Sequence, residues 1–161
     1  MTSTAGMVTL CSAMDQLLPG QRIARGVCRH LRERDFAALT EFVPAPGLRV
    51  DVIALGPRGE VWIVECKSGR ADFMADRKWA GYLPWCDCFF WATDPEFPRD
   101  LLPVETGLIM ADEYDAWVER LPEATPLAPA RRRALTQRFA RTAALRLGEL
   151  TDPAAVTAWS A

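Results

Sequence analysis

Apolar positions recur along the chain with a period that changes from block to block, and each change marks a predicted element. Ile23, Val27 and Leu31 follow Pro19 at four-residue spacing. That spacing places them on one helical face, and proline suits a first helical position. Residues 17–34 are therefore predicted to form an amphipathic, arginine-rich helix. Phe36 to Val43 then reads as a strand, closed by the rigid turn Pro44-Ala-Pro46-Gly47. Leu48–Leu55 and Val61–Lys67 carry apolar residues on both faces, as strands do inside a sheet covered on both sides. A helix is predicted over Ala71–Leu83, turning Phe73, Trp79 and Leu83 toward a core and stopped by Pro84. Cys88–Thr93 and Gly107–Ala111 read as further strands, joined by a loop holding Pro95, Pro98 and Pro103. A short helix is predicted near Asp112–Arg120. Pro122, Pro126 and Pro129 mark a linker before a final helix at about residues 130–148.

The resulting order, αβββαβ followed by a fifth strand and helices, predicts an α/β fold: a mixed central sheet flanked by helices, with an extra C-terminal helix. At 161 residues the chain is the size of one domain. Residues 1–16 read as a flexible lead-in, 17–120 as the core, and 121–161 as a linker and helix packed on it. The uncharged run Met1–Met14 has no basic segment and no continuous apolar stretch. A signal peptide is therefore not expected, and the expected location is cytoplasmic with no membrane partner. Five cysteines, irregularly spread, do not suggest a disulfide framework. Cys86-Asp87-Cys88 with one distant histidine, His30, lacks the clustered ligands of a structural zinc site.

The net charge of −2 supplies no global attraction to a polyanion, so local distribution matters more. Arg22, Arg25, Arg29, Arg32 and Arg34 crowd the first helix, and Arg131, Arg132, Arg133, Arg138, Arg141 and Arg146 the last. Such faces can track phosphates or simply be solvated. Among nineteen basic residues only Lys67 and Lys78 are lysines, and both fall in one short stretch.

The hairpin between the second and third strands concentrates the chemistry. Its Gly56-Pro57-Arg58-Gly59 turn suits a three-residue loop, with proline at the second position and a left-handed glycine closing it. That register sets Gly56 against Glu60 and Asp51 against Glu65, on one face. A two-residue loop would send the two acids to opposite faces. Paired carboxylates can hold Mg²⁺ or Mn²⁺, with the Cys66 carbonyl as a further oxygen. Lys67 projects from the same face, where an ammonium can stabilise charge on phosphorus. The alternative use of these residues is a plain cross-strand salt bridge.

Asp51 followed by Glu65-Cys66-Lys67 resembles the D…(D/E)xK motif of the PD-(D/E)XK nuclease superfamily and its restriction-endonuclease-like fold. Arg49-Val-Asp51-Val, Trp62-Ile-Val-Glu65-Cys-Lys67-Ser68, Asp72-Phe73, Asp76-Arg-Lys78-Trp79 and Tyr82 resemble more narrowly the MmcB-type DNA repair proteins of bacteria. Gly107-Leu-Ile-Met-Ala-Asp112 and Ala130-Arg-Arg-Arg133 are similar too, so the likeness spans about residues 20–148. Val50 stands where the superfamily motif often has proline. The resemblance implies a Mg²⁺-dependent deoxyribonuclease in DNA damage repair, with Asp51 and Glu65 as metal ligands and Lys67 as catalytic lysine. DNA and other repair proteins would be its partners. A nuclease-like DNA-binding accessory protein without cleavage activity is the alternative. Candidate accessory residues are Glu41, as an extra metal ligand, and Lys78 with Tyr82, four apart on the predicted helix. Candidate DNA contacts are Arg22, Arg25, Arg29, Arg131, Arg132 and Arg133. Trp79 and Trp85 are candidates for base stacking or for the core.

Overall fold

A computed structural model describes residues 17–154; the expected lead-in at 1–16, Cys11 included, lies outside them. Helix α1 (Pro19–Glu33) is followed by β1 (Ala37–Phe42), β2 (Val50–Leu55) and β3 (Val61–Lys67). Short helix α2 (Arg70–Ala75) and a 3₁₀ segment (Trp79–Trp85) lead to β4 (Cys88–Thr93). Then come β5 (Gly107–Ala111), β6 (Ala116–Arg120) and α3 (Pro129–Thr151). The six strands form one sheet in chain order. β1/β2, β2/β3 and β5/β6 are antiparallel, while β3/β4 and β4/β5 are parallel. The αβββαβ order and the mixed sheet thus match the expectation.

Each face of the sheet has its own core. On one side α1 buries Ile23, Val27 and Leu31 against Val52, Val64, Phe90 and Ile109. Gly26 is needed there, because a Cβ would collide with the carbonyl oxygens of Asp112 and Asp115. On the other side Ile53, Ile63, Trp91 and Met110 meet the 3₁₀ segment and the buried Leu135 and Phe139 of α3. Among the described residues, no helix is long and apolar enough to cross a membrane. Cys28, Cys66, Cys86 and Cys88 are free thiols.

Two predicted helices are corrected. The stretch 71–83 is not one helix: α2 stops at Ala75, and Asp76 takes up extended backbone. The Asp76 carboxylate accepts the amides of Lys78 and Trp79, an Asx arrangement that competes with helical hydrogen bonding. Phe73 and Trp79 still reach the aromatic core around Trp91, whereas Leu83 is exposed. The stretch 112–120 is a hairpin turn and strand. Asp112 Oδ1 accepts the amides of Tyr114 and Asp115, closing the turn so that β6 pairs with β5.

Candidate metal centre and its cleft

The β2–β3 turn sets the site. Gly59 has φ +83, the left-handed backbone that glycine adopts without strain. The amide of Gly56 donates to the Glu60 carbonyl at 2.8 Å. The ladder then runs Leu55↔Val61 through Val52↔Val64, and its next step brings Asp51 to Glu65. There the regular pairing gives way to side chains. The Asp51 amide donates to Glu65 Oε1 at 3.1 Å, and the Cys66 amide donates to Asp51 Oδ2 at 2.8 Å. Each acid is pinned by the other strand's backbone, which leaves Asp51 Oδ1 and Glu65 Oε2 without a backbone donor. Lys67 follows on the same face, its Nζ 3.9 Å from Glu65 Oε2.

These groups are buried but not sealed. Glu65 is 4% and Lys67 6% exposed, yet both line an open cleft of about 1110 Å³ together with Asp51, Cys66 and Asp72. Arg25, Arg29 and Arg32 of α1 border the same cleft, and none of their guanidinium groups makes a hydrogen bond or ion pair among the described residues. Arg22 lies apart, donating to the Leu17 carbonyl and pairing with Glu113 at 3.5 Å.

The electrostatics suit a cation. Burial, then the charge of Asp51, pushes the Glu65 carboxyl up to about 8. Burial also raises Asp51, against the Cys66 amide and Lys67, which lower it. Two acids this close resist ionising together. A hard divalent cation, which prefers carboxylate oxygens, would relieve that repulsion through the two oxygens left free. The donor set therefore fits Mg²⁺ or Mn²⁺. Glu41 stands across from Asp51 in the β1–β2 register, with φ +50, a costly backbone for a non-glycine residue. It lines the cleft, and its carboxylate is tied to Arg49 at 3.0 Å.

The other candidates do not line the cleft. Tyr82 is buried, and its hydroxyl donates to the Arg49 carbonyl at 2.9 Å, bracing the chain just before Asp51. Lys78 is exposed and does not border the cleft. The break at Asp76 removes the helical face that four-residue spacing implied. Trp79 packs on Phe89 and Trp91, and Trp85 under Arg131. Arg131 donates to the Pro84 carbonyl. Arg132 clasps Asp87 with two bonds and also reaches the Gly59 carbonyl. Asp87 binds the amide of Val61, at the opposite end of β3 from Lys67, roughly 20 Å away at strand rise. Arg133 is exposed on the same turn of α3. None of these three arginines borders the cleft.

Asp76 was missed by sequence reasoning although it lies in a run already notable for its resemblance. Its Oδ2 meets Lys67 Nζ at 2.7 Å. His30, half-buried on α1, has a buried Nε2 without a hydrogen-bond partner. It groups with Glu33 and Asp115, one ligand atom from each lying within 4.8 Å of the others. Burial, then Arg34, holds its imidazole below the usual range.

A family model described as "DNA repair protein MmcB-like" matches residues 12–154. The chain is also similar to a solved structure, the SPO1766 protein of unknown function from Silicibacter pomeroyi. Identity is 62% with a TM-score of 0.84, over 86% of this chain and 94% of that one. No curated protein matches significantly.

Proposed function

The chain belongs to the family of MmcB-like DNA repair proteins, and we propose that it is a divalent-cation-dependent DNA endonuclease of PD-(D/E)XK type. Its reaction centre is Asp51, Glu65 and Lys67. The observation that carries this is the reciprocal pinning of the two acids, each by the other strand's amide, beside a buried lysine on an open cleft.

Asp51 Oδ1 and Glu65 Oε2 would hold Mg²⁺ or Mn²⁺, with the Cys66 carbonyl as a further ligand and Glu41 at the rim. The ion supplies Lewis acidity, which acidifies water and offsets charge on phosphoryl oxygens. Lys67 carries a positive charge on a side chain buried in the cleft wall, where a preorganised ammonium stabilises a developing phosphorane more than a freely solvated one would. Arg25, Arg29 and Arg32 lie at successive turns of α1, with rises of about 6 and 4.5 Å. They bind the phosphates of the strand being cut. A family role in DNA repair accords with DNA as substrate.

The test is incubation with supercoiled, single-stranded and branched DNA in Mg²⁺, Mn²⁺ or EDTA. The expected result is nicking that EDTA abolishes and that falls at least about 100-fold in Glu65→Gln and Lys67→Ala. Salt-sensitive binding with no cleavage in either metal would instead identify an accessory DNA-binding protein. Cleavage unaffected by both substitutions would refute the assignment.

A further inference from the structure

Lys67 lies two residues from Glu65 on the same strand face, yet its buried ammonium closes onto a carboxylate from another element, Asp76. Its Nζ is 2.7 Å from Asp76 Oδ2 and 3.9 Å from Glu65 Oε2. The first is a charge-assisted hydrogen bond, while the second is beyond hydrogen-bond range. Asp76 is itself held from behind. Its amide donates to the Phe73 carbonyl, and its Oδ1 accepts the amides of Lys78 at 2.8 Å and Trp79 at 3.2 Å. Trp79 is anchored in turn against Phe89 and Trp91, and the Lys67 ammonium lies 5.6 Å from the Trp91 ring centroid. One carboxylate oxygen thus fixes the local chain while the other fixes the lysine.

We propose that Asp76 is the positioning residue of this centre, drawing the Lys67 ammonium off Glu65 so that Glu65 Oε2 stays open to a divalent cation. This role rests on the proposed metal centre. Without the Asp76 charge, Lys67 would still need a partner in a buried site. The other acids that act on its charge are Glu65 first, 3.9 Å away, and then Asp72, so the lysine would compete with the cation for the Glu65 oxygen that binds it.

The test is a double-mutant cycle on Mn²⁺ affinity, measured by calorimetry without DNA. Asp76→Asn keeps an oxygen for the Lys78 and Trp79 amides and removes the charge. The expected loss of Mn²⁺ affinity is about tenfold, the scale seen for residues that orient a metal's ligands. In a Lys67→Met background the same substitution should cost at least about fivefold less. Equal losses in both backgrounds would make Asp76 only a remote charge and overturn the proposal. With two lysines in the chain, ¹⁵N-lysine spectra recorded without metal resolve the Lys67 ammonium from exposed Lys78. A protected Lys67 signal that disappears in Asp76→Asn supports the holding contact, and an unchanged signal overturns it. If Asp76→Asn does not fold, Asp76→Ser retains a capping oxygen and replaces it. Failure of the unsubstituted protein to bind Mn²⁺ would sink the metal centre and this role with it. Mn²⁺ binding with the predicted cycle but no DNA cleavage would leave Asp76's role standing and remove only the nuclease activity.

Discussion

Helices α1 and α3 are both rich in arginine, but their guanidinium groups end in different places. On α1, Arg25, Arg29 and Arg32 border the acidic cleft, their guanidinium groups without a hydrogen bond or ion pair among the described residues. On α3, Arg131, Arg132, Arg138 and Arg146 all donate to backbone carbonyls, those of Pro84, Gly59, Val43 and Thr40. Arg132 adds a two-bond clasp on Asp87. The first set is available to an anion from outside, and the second is consumed in holding the fold. An arginine's role is decided by which acceptor has already claimed it, and clustering in the sequence cannot reveal that.

The largest expected effect breaks the α3 side of the contrast. Asp87 is 8% exposed and also accepts the amides of Val61 and Leu127. Arg132→Ala strips its charge partner and should cost about 3 kcal/mol in urea unfolding. DNA affinity per folded molecule should not change. Replacing Arg25, Arg29 and Arg32 together by alanine should do the reverse. Stability should hold within about 0.5 kcal/mol per site. The slope of log affinity against log salt, read by anisotropy in EDTA, should shrink by about 2–3. If the triple variant unfolds or binds DNA normally, the contrast between the helices fails.

A pH effect sharpens the cleft side. The Glu65 carboxyl is raised from its ordinary range to about 8, by burial and then by Asp51. A raised acid favours folding while protonated, so its contribution is full below the unfolded value and is lost as pH rises through about 8. The melting temperature of the metal-free protein should therefore fall by a few degrees between about pH 5 and 8.5 relative to Glu65→Gln. Mn²⁺ should reverse the fall in the unsubstituted protein alone. The smallest effect belongs to Arg146, whose bonds to the Thr40 and Glu41 carbonyls secure the left-handed turn at Glu41. Arg146→Ala should cost about 1 kcal/mol of stability, measured by urea unfolding.

Much of the centre was legible because one turn governs it. Pro57 and Gly59 specify a loop length, the loop length specifies register, and register brings Asp51 to Glu65. Asp76 was not legible, because its influence comes from a helix that does not continue. Ala71–Leu83 has helical spacing, and nothing in periodicity reveals that one aspartate will take two amides from that helix and offer its other oxygen to Lys67. Lys78 was misplaced for the same reason. β6 was mistaken for a helix because its five residues, Ala116–Arg120, are too few to establish a period. The Asp112 turn was the better signal. Free and claimed arginines were indistinguishable until their acceptors had positions.

Everything proposed for the cleft requires Asp51 and Glu65 to share a divalent cation. Crystals soaked in Mn²⁺ and measured for anomalous scattering test it most directly. A peak is expected about 2.1 Å from both Asp51 Oδ1 and Glu65 Oε2, lost in Glu65→Gln. A cleft without a peak, or a peak only at His30, Glu33 and Asp115, would contradict it.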